Sequence, residues 1–214
     1  MNKNESKYFN TAIKMDKALL ELLDKKDFEY ITIKEICDTA KVNRSTFYLH
    51  YENTVDLLKE TTEYVIDTFQ SYFSVDTQTI SQQFKNCNIK DLNFFTPEYL
   101  KPYLTFIKEN RTIFETSLRH FKTMDFESVH NRLFKYVFNP IFERFSFPEK
   151  DRMYIVKFYL TGVTAITLEW LERDCEEDID EIIRIIINCV MGNFGIGTTG
   201  TEEIRKQLKW TPSV

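Results

Sequence analysis

Ile33, Ile36, Cys37 and Ala40 recur at steps of three and four, the spacing that gathers apolar side chains on one face of a helix. Thr32 precedes them, and Glu35 stands three residues after it. That pair reads as a capping box, in which each side chain satisfies a backbone N–H at the helix start. The pattern predicts a helix over residues 33–40 and then a three-residue turn, Lys41-Val42-Asn43. A second helix follows over about 44–51, with Asn43 as its N-cap. In that helix Phe47 falls on the side of Val42, which can fill the corner between the two helices, and small Ala40 permits a close crossing. A longer helix over about 7–25 comes first, with Ile13, Ala18, Leu19, Leu22 and Leu23 as its stripe, and Phe28 and Ile31 lie in the connection. A further helix over about 54–73 leads out of this unit.

Residues 74–96 carry no clear long helical pattern, and Pro97 and Pro102 mark a fresh start. Helical spacing then returns over 99–108, 112–120, 126–145, 148–173 and 178–191, the last with Asp178 and Glu181 as a second cap pair. All five glycines lie at or after Gly162, and tight β-turns favour glycine, so the chain reads as all-α. The expected organisation is a head over 1–60, a helical unit over 61–192 and a polar, glycine-containing tail over 193–214. Two apolar stripes stand out near the end. One is Ile155, Phe158, Tyr159, Gly162, Ile166 and Trp170, and the other is Ile179, Ile182, Ile183, Ile186 and Val190. Gly162 and Ala165 permit close helix approach. Two such hairpins from two subunits would make a four-helix bundle, and the alternative is that the stripes close the core of a single chain.

Two short helices joined by a three-residue turn form a helix-turn-helix, which lays its second helix in the major groove of DNA. The residue types suit that task. An arginine can bond guanine O6 and N7 together, and Ser or Thr can bond base edges or phosphates. Arg44 and Ser45 are therefore expected to read bases. Thr32, Thr46, Tyr48 and His50 are expected to hold phosphates, which fixes register. Lys34 and Asn43 complete the face, with Thr54 at the start of the next helix. From Ala40 to Tyr51 the chain has Lys41 and Arg44 and no acid.

At these residues the chain resembles the TetR family of bacterial transcriptional regulators. Ile31-Thr32 at the first cap, Ala40 before the turn, Tyr48-Leu49-His50-Tyr51 at the end of the recognition helix, and the helix start from Asn53 to Leu58 follow that family's pattern. The resemblance implies an N-terminal three-helix helix-turn-helix domain and a C-terminal helical domain for ligand binding and dimerisation. It also implies a homodimer on a near-palindromic, double-stranded operator, acting as a repressor and controlled by a small hydrophobic effector. Two positions depart from the pattern. Lys41 stands where the family usually has a glycine, and Thr54 where it usually has a phosphate-binding lysine. Control by a protein partner is the alternative, as is a helical interaction protein that has lost DNA binding.

Composition narrows the rest. The net charge is −5, and residues 1–60 hold ten Lys and Arg against eleven Asp and Glu, so most of the acidic excess lies beyond the head. With 19 Phe, 11 Tyr and 2 Trp, the chain is rich in aromatics. Tyr103, Phe106, Phe114, Phe121, Phe134 and Phe138 are spaced so that several could line one apolar cavity, the usual character of a small-molecule site. The alternative is an ordinary core. Cys37, Cys87, Cys175 and Cys189 include no CxxC pair and read as reduced thiols. His120, His130, Cys87 and Cys175 match no short metal-ligand spacing, so no metal and no cofactor is expected. No glycine-rich phosphate loop and no local nucleophile–histidine arrangement points to an enzyme. The polar start and the absence of a long apolar run suit a cytoplasmic protein with no membrane contact.

Overall fold

A computed structural model describes residues 3–73 and 95–191. The expected break over 74–96 falls mostly outside these residues, as do Cys87 and the tail. All regular secondary structure among the described residues is helical, with no strand. The helices are α1 (Lys3–Leu23), α2 (Ile33–Ala40), α3 (Arg44–His50), α4 (Thr54–Gln70), α5 (Pro97–Glu109), α6 (Arg111–Arg119), α7 (Phe126–Leu133), α8 (Asn139–Arg144), α9 (Glu149–Glu172) and α10 (Ile179–Met191). A single 3-10 turn, Phe28–Tyr30, bridges α1 and α2.

The expected helix over 126–145 is interrupted. Between α7 and α8 the chain takes a π-helical turn, Phe134–Phe138. Pro140 sits in the first turn of α8 and has no N–H to give the preceding turn, so the regular hydrogen-bond ladder cannot run through it.

α1, α2, α3 and the first half of α4 pack around one apolar centre. Met15, Leu19, Leu23, Ile36, Phe47 and Leu57 are all fully buried there. The stripe read from the sequence supplies this centre directly. Ile36, Cys37 and Ala40 are buried on α2, and half-buried Val42 packs against the same core from the corner. The centre does not end with the head's own helices. Met124, from the corner after α6, is buried in it, and Ile113 and Phe126 pack on its rim.

Two apolar clusters gather much of the described interior of the second unit. Leu100 and Leu104 of α5 meet Val163 and Trp170 of α9 and Ile182, Ile183 and Ile186 of α10. Phe106, Ile107 and Leu171 form the other, with Phe69 and Tyr72 reaching in from the end of α4. Phe69 and Tyr72 set their rings edge-on to Phe106, with centroids 5.1 and 5.5 Å away. α4 is thus common to both units. Among the described residues no helix is long and apolar enough to cross a membrane.

This packing divides the two expected interface stripes. Trp170, Ile182, Ile183 and Ile186 are buried inside the single chain, so they serve its own core and are withdrawn from any surface between subunits. Phe158 and Gly162 are exposed, and Ile155, Tyr159, Ile166, Ile179 and Val190 are half-buried. The hairpin needs its own hydrophobic seam before it can offer a second one, and the α10 isoleucines fill it.

Candidate nucleic-acid interface

The recognition helix is seated by three local devices. The first is the capping box of α2. The Thr32 hydroxyl accepts from the Glu35 N–H at 3.3 Å, and the Glu35 carboxylate accepts from the Thr32 N–H at 3.0 Å. Lys26 donates to Glu35 Oε1 at 2.6 Å and to the Tyr30 carbonyl at 2.8 Å, which ties the connection after α1 to the start of α2. Donors from Lys26 and Thr32 hold the Glu35 carboxyl down at about 2, well below the ordinary carboxylate range.

The second device is the turn. Lys41 has φ 57° and ψ 45°, the left-handed conformation in which many helices end. Glycine adopts it without strain, whereas a side chain there costs about 1 kcal/mol. Lys41 therefore holds a left-handed turn at the position of the family's glycine, at a small penalty. Asn43 occupies the N-cap position of α3 as expected, but its side chain makes no capping bond and stays exposed.

The third device anchors the far end of α3. Phe47 is completely buried and Tyr51 nearly so. His50 is half-buried and its ring stacks on Tyr8 of α1, with centroids 3.9 Å apart and planes 19° from parallel. Burial lowers its basicity, and its Nδ1 is buried without a hydrogen-bond partner among the described residues. Behind this end, Asp16 of α1 is almost wholly buried and accepts from the Thr61 hydroxyl of α4 at 2.9 Å. Desolvation, opposed by that bond and helped by the neighbouring Glu60 charge, pushes the Asp16 carboxyl up to about 7. Asn53 caps α4 by accepting from the Val55 and Asp56 N–H groups at 2.8 and 3.1 Å.

The exposed surface left over is mixed. Lys34, Asn43, Arg44, Ser45 and Tyr48 are exposed, and Thr46 and Thr54 are half-buried. Two residues differ from expectation. His50 turns inward, because Tyr8 of α1 stacks on its ring and covers that flank of the helix. Thr32 gives both its hydroxyl hydrogen and its N–H to Glu35, at 2.8 and 3.0 Å, so it has no donor left for a phosphate. One further residue lies on this exposed surface. Leu49 is 77% exposed, the most exposed large apolar side chain in the head. Its distance from Phe47 along the helix already signalled this.

The head is fixed to the second unit through the end of α1. Arg119 donates to the Asp24 carbonyl at 2.8 Å, and His120 Nε2 lies 2.7 Å from the Leu23 carbonyl. These carbonyls lie at and just past the last residue of α1, where a helix leaves its C=O groups without internal partners. Thr62 of α4 donates to the Met124 carbonyl at 3.1 Å.

Two family models match the chain. One, for bacterial regulatory proteins of the tetR family, covers residues 17–61, and the other, for a transcriptional regulator C-terminal region, covers residues 96–192. The chain belongs to the TetR family of bacterial transcriptional regulators. It is 27% identical over 210 residues to the uncharacterised HTH-type transcriptional regulator YxbF of Bacillus subtilis (strain 168), a match covering 89% of this chain and 49% of YxbF. The chain thus spans about half the length of this curated relative. Among solved structures it is similar in fold to a Clostridium perfringens protein designated a candidate regulator of fatty acid metabolism. The TM-score is 0.59 at 17% identity, covering 82% of this chain and 95% of that one.

The six aromatics read as a possible cavity lie in separate places. Tyr103, Phe106 and Phe114 belong to the cluster at the end of α4. Phe121 lies near Phe126, with ring centroids 6.0 Å apart, on the side of the head. Phe134 and Phe138 sit on the π-helical turn. Among the described residues no group of His, Cys, Asp and Glu is placed to hold a metal ion.

Proposed function

We propose that this chain binds a near-palindromic operator as a homodimer and acts as a repressor, each copy laying α3 in one major groove. The observation that carries this reading is the exposed, acid-free face of α3, held on a rigid three-helix seat. Arg44 and Ser45 are assigned to base edges, and Thr46, Tyr48 and Thr54 to phosphates, with Lys34 beside them. The homodimer is supported by α9. Tyr154 is 78% and Phe158 73% exposed there, and exposed Gly162 and Ala165 continue the same stripe at steps of three and four. A Cβ added at Gly162 would meet nothing within 4 Å, so nothing in its own chain requires a glycine there. A glycine inside a helix costs about 0.5–1 kcal/mol against alanine, and close approach by a second copy accounts for it.

Regulation by a small hydrophobic effector is the reading supported by the rings of Phe69, Tyr72, Tyr103 and Phe106. Phe69 and Tyr72 at the end of α4 are held by Tyr103 and Phe106 of α5, and α4 begins in the head, so a ligand that separates these rings would move α3 through its own scaffold. The test is a footprint of the full chain on the DNA flanking its own gene at two salt concentrations. A protected near-palindrome that weakens with salt is expected, because phosphate contacts release counterions. Arg44→Ala should lower specific affinity by about 1–3 kcal/mol and relax one base position per half-site. An unchanged sequence preference in that variant would remove Arg44 from the reading role.

A further inference from the structure

Successive residues of a helix are rotated by about 100°. Measured from the buried Phe47, Ser45 and Leu49 therefore lie about 160° away, farther round than any other residue of α3. Tyr48 and Thr46 lie about 100° away, and Arg44 and His50 only about 60°. Exposure follows the same order on the outer side, with Leu49 at 77% and Tyr48 at 59%. The direction that points straight out of the head is thus shared by a hydroxyl and, one turn and about 6 Å further along, an isobutyl group.

A leucine in that direction has no polar work to do. Among the described residues it belongs to no core cluster, and most of its surface is left in water. Its neighbours are donors, Arg44, Ser45 and Tyr48, and the face carries no acid, so the surface it sits in suits a polyanion rather than an apolar protein groove. The floor of the major groove offers a single apolar group, the C5 methyl of thymine, which distinguishes that base from cytosine.

We infer that Leu49 is a specificity residue of the recognition helix, which packs on a thymine methyl in each half-site while Ser45 and Arg44 engage the polar edges beside it. This rests on the operator-binding reading above. The contact removes a methyl and part of an isobutyl group from water without asking either to give up a hydrogen bond. Because uracil differs from thymine only by that methyl, the contact can be deleted from the DNA side alone.

The experiment uses the full chain and a duplex it selects from a random pool, with deoxyuridine placed at each thymine in turn. One thymine position per half-site should lose about three- to tenfold in affinity on substitution, the value of one buried methyl. Leu49→Ala should bind the unmodified duplex with a similar loss and show no further loss at that position. Because Leu49 is exposed, the variant should keep the wild-type thermal midpoint. A selected, salt-sensitive duplex in which no deoxyuridine effect disappears in Leu49→Ala would overturn the thymine contact and leave the operator reading standing. Failure to select any duplex would overturn both.

Discussion

In the head, Leu19, Leu23, Ile36, Phe47 and Leu57 are fully buried around a single centre. The second unit spreads its apolar side chains over two clusters and leaves Tyr154 and Phe158 in water. The head fills its interior mostly from its own helices, whose caps and turn are fixed locally, with Met124 of the second unit closing one side. The second unit spends the isoleucines of α10 on its own seam and still has an aromatic face to cover. The first arrangement suits a reading head, which must hold side chains to base edges within narrow tolerances. The second suits a part whose final surface is completed by another body.

The sharpest way to break this contrast is Phe47→Ala. It removes a completely buried ring from the centre of the head and should cost about 3–5 kcal/mol, measured by chemical denaturation. If the head's stability is instead borrowed from the second unit, the loss will be much smaller.

Asp16 gives the next largest effect, and its sign is set by pH. Burial raises its folded value from 3.8 to about 7, so its contribution to stability is full at low pH and is lost as pH rises through about 7. Asp16→Asn keeps an acceptor for Thr61 and has no charge to bury. The variant should be more stable than the wild type at pH 8 by a few kcal/mol, with the gap closing towards pH 4. Thermal midpoints that track each other across that range would show the carboxyl to be solvated.

His120→Ala tests the joint between the two regions. Leaving the Leu23 carbonyl without its partner should cost about 1–3 kcal/mol. His120→Asn is expected to recover part of it. The smallest effect is expected from Phe158→Ser, which should change the stability of the isolated chain by no more than about 0.5 kcal/mol. It should nevertheless weaken self-association, read by sedimentation. Unchanged association in that variant would move the second copy to another face.

Much of the head was legible in advance because its signals are local. A capping box needs only Thr32 and Glu35 three residues apart, and both of its hydrogen bonds are formed. The spacing of Ile36, Cys37, Ala40 and Phe47 placed the buried face without reference to any other segment. The spacing also contained Leu49, which polar chemistry alone passed over. The Thr32 bonds to Glu35 and the stacking of His50 on Tyr8 are not legible there, because a residue's type does not reveal which partners inside the chain engage it.

What the sequence determined by itself was therefore the helical class, the helix-turn-helix and the polar and apolar sides of its recognition helix. Periodicity and capping act within a few residues and do not depend on distant partners. Tertiary structure alone decided that Tyr8 would cover His50, that Met124 would complete the head's core, and that α10 would turn its isoleucines inward. Each of these joins residues far apart in the chain, where the outcome depends on which apolar faces compete for the same interior volume.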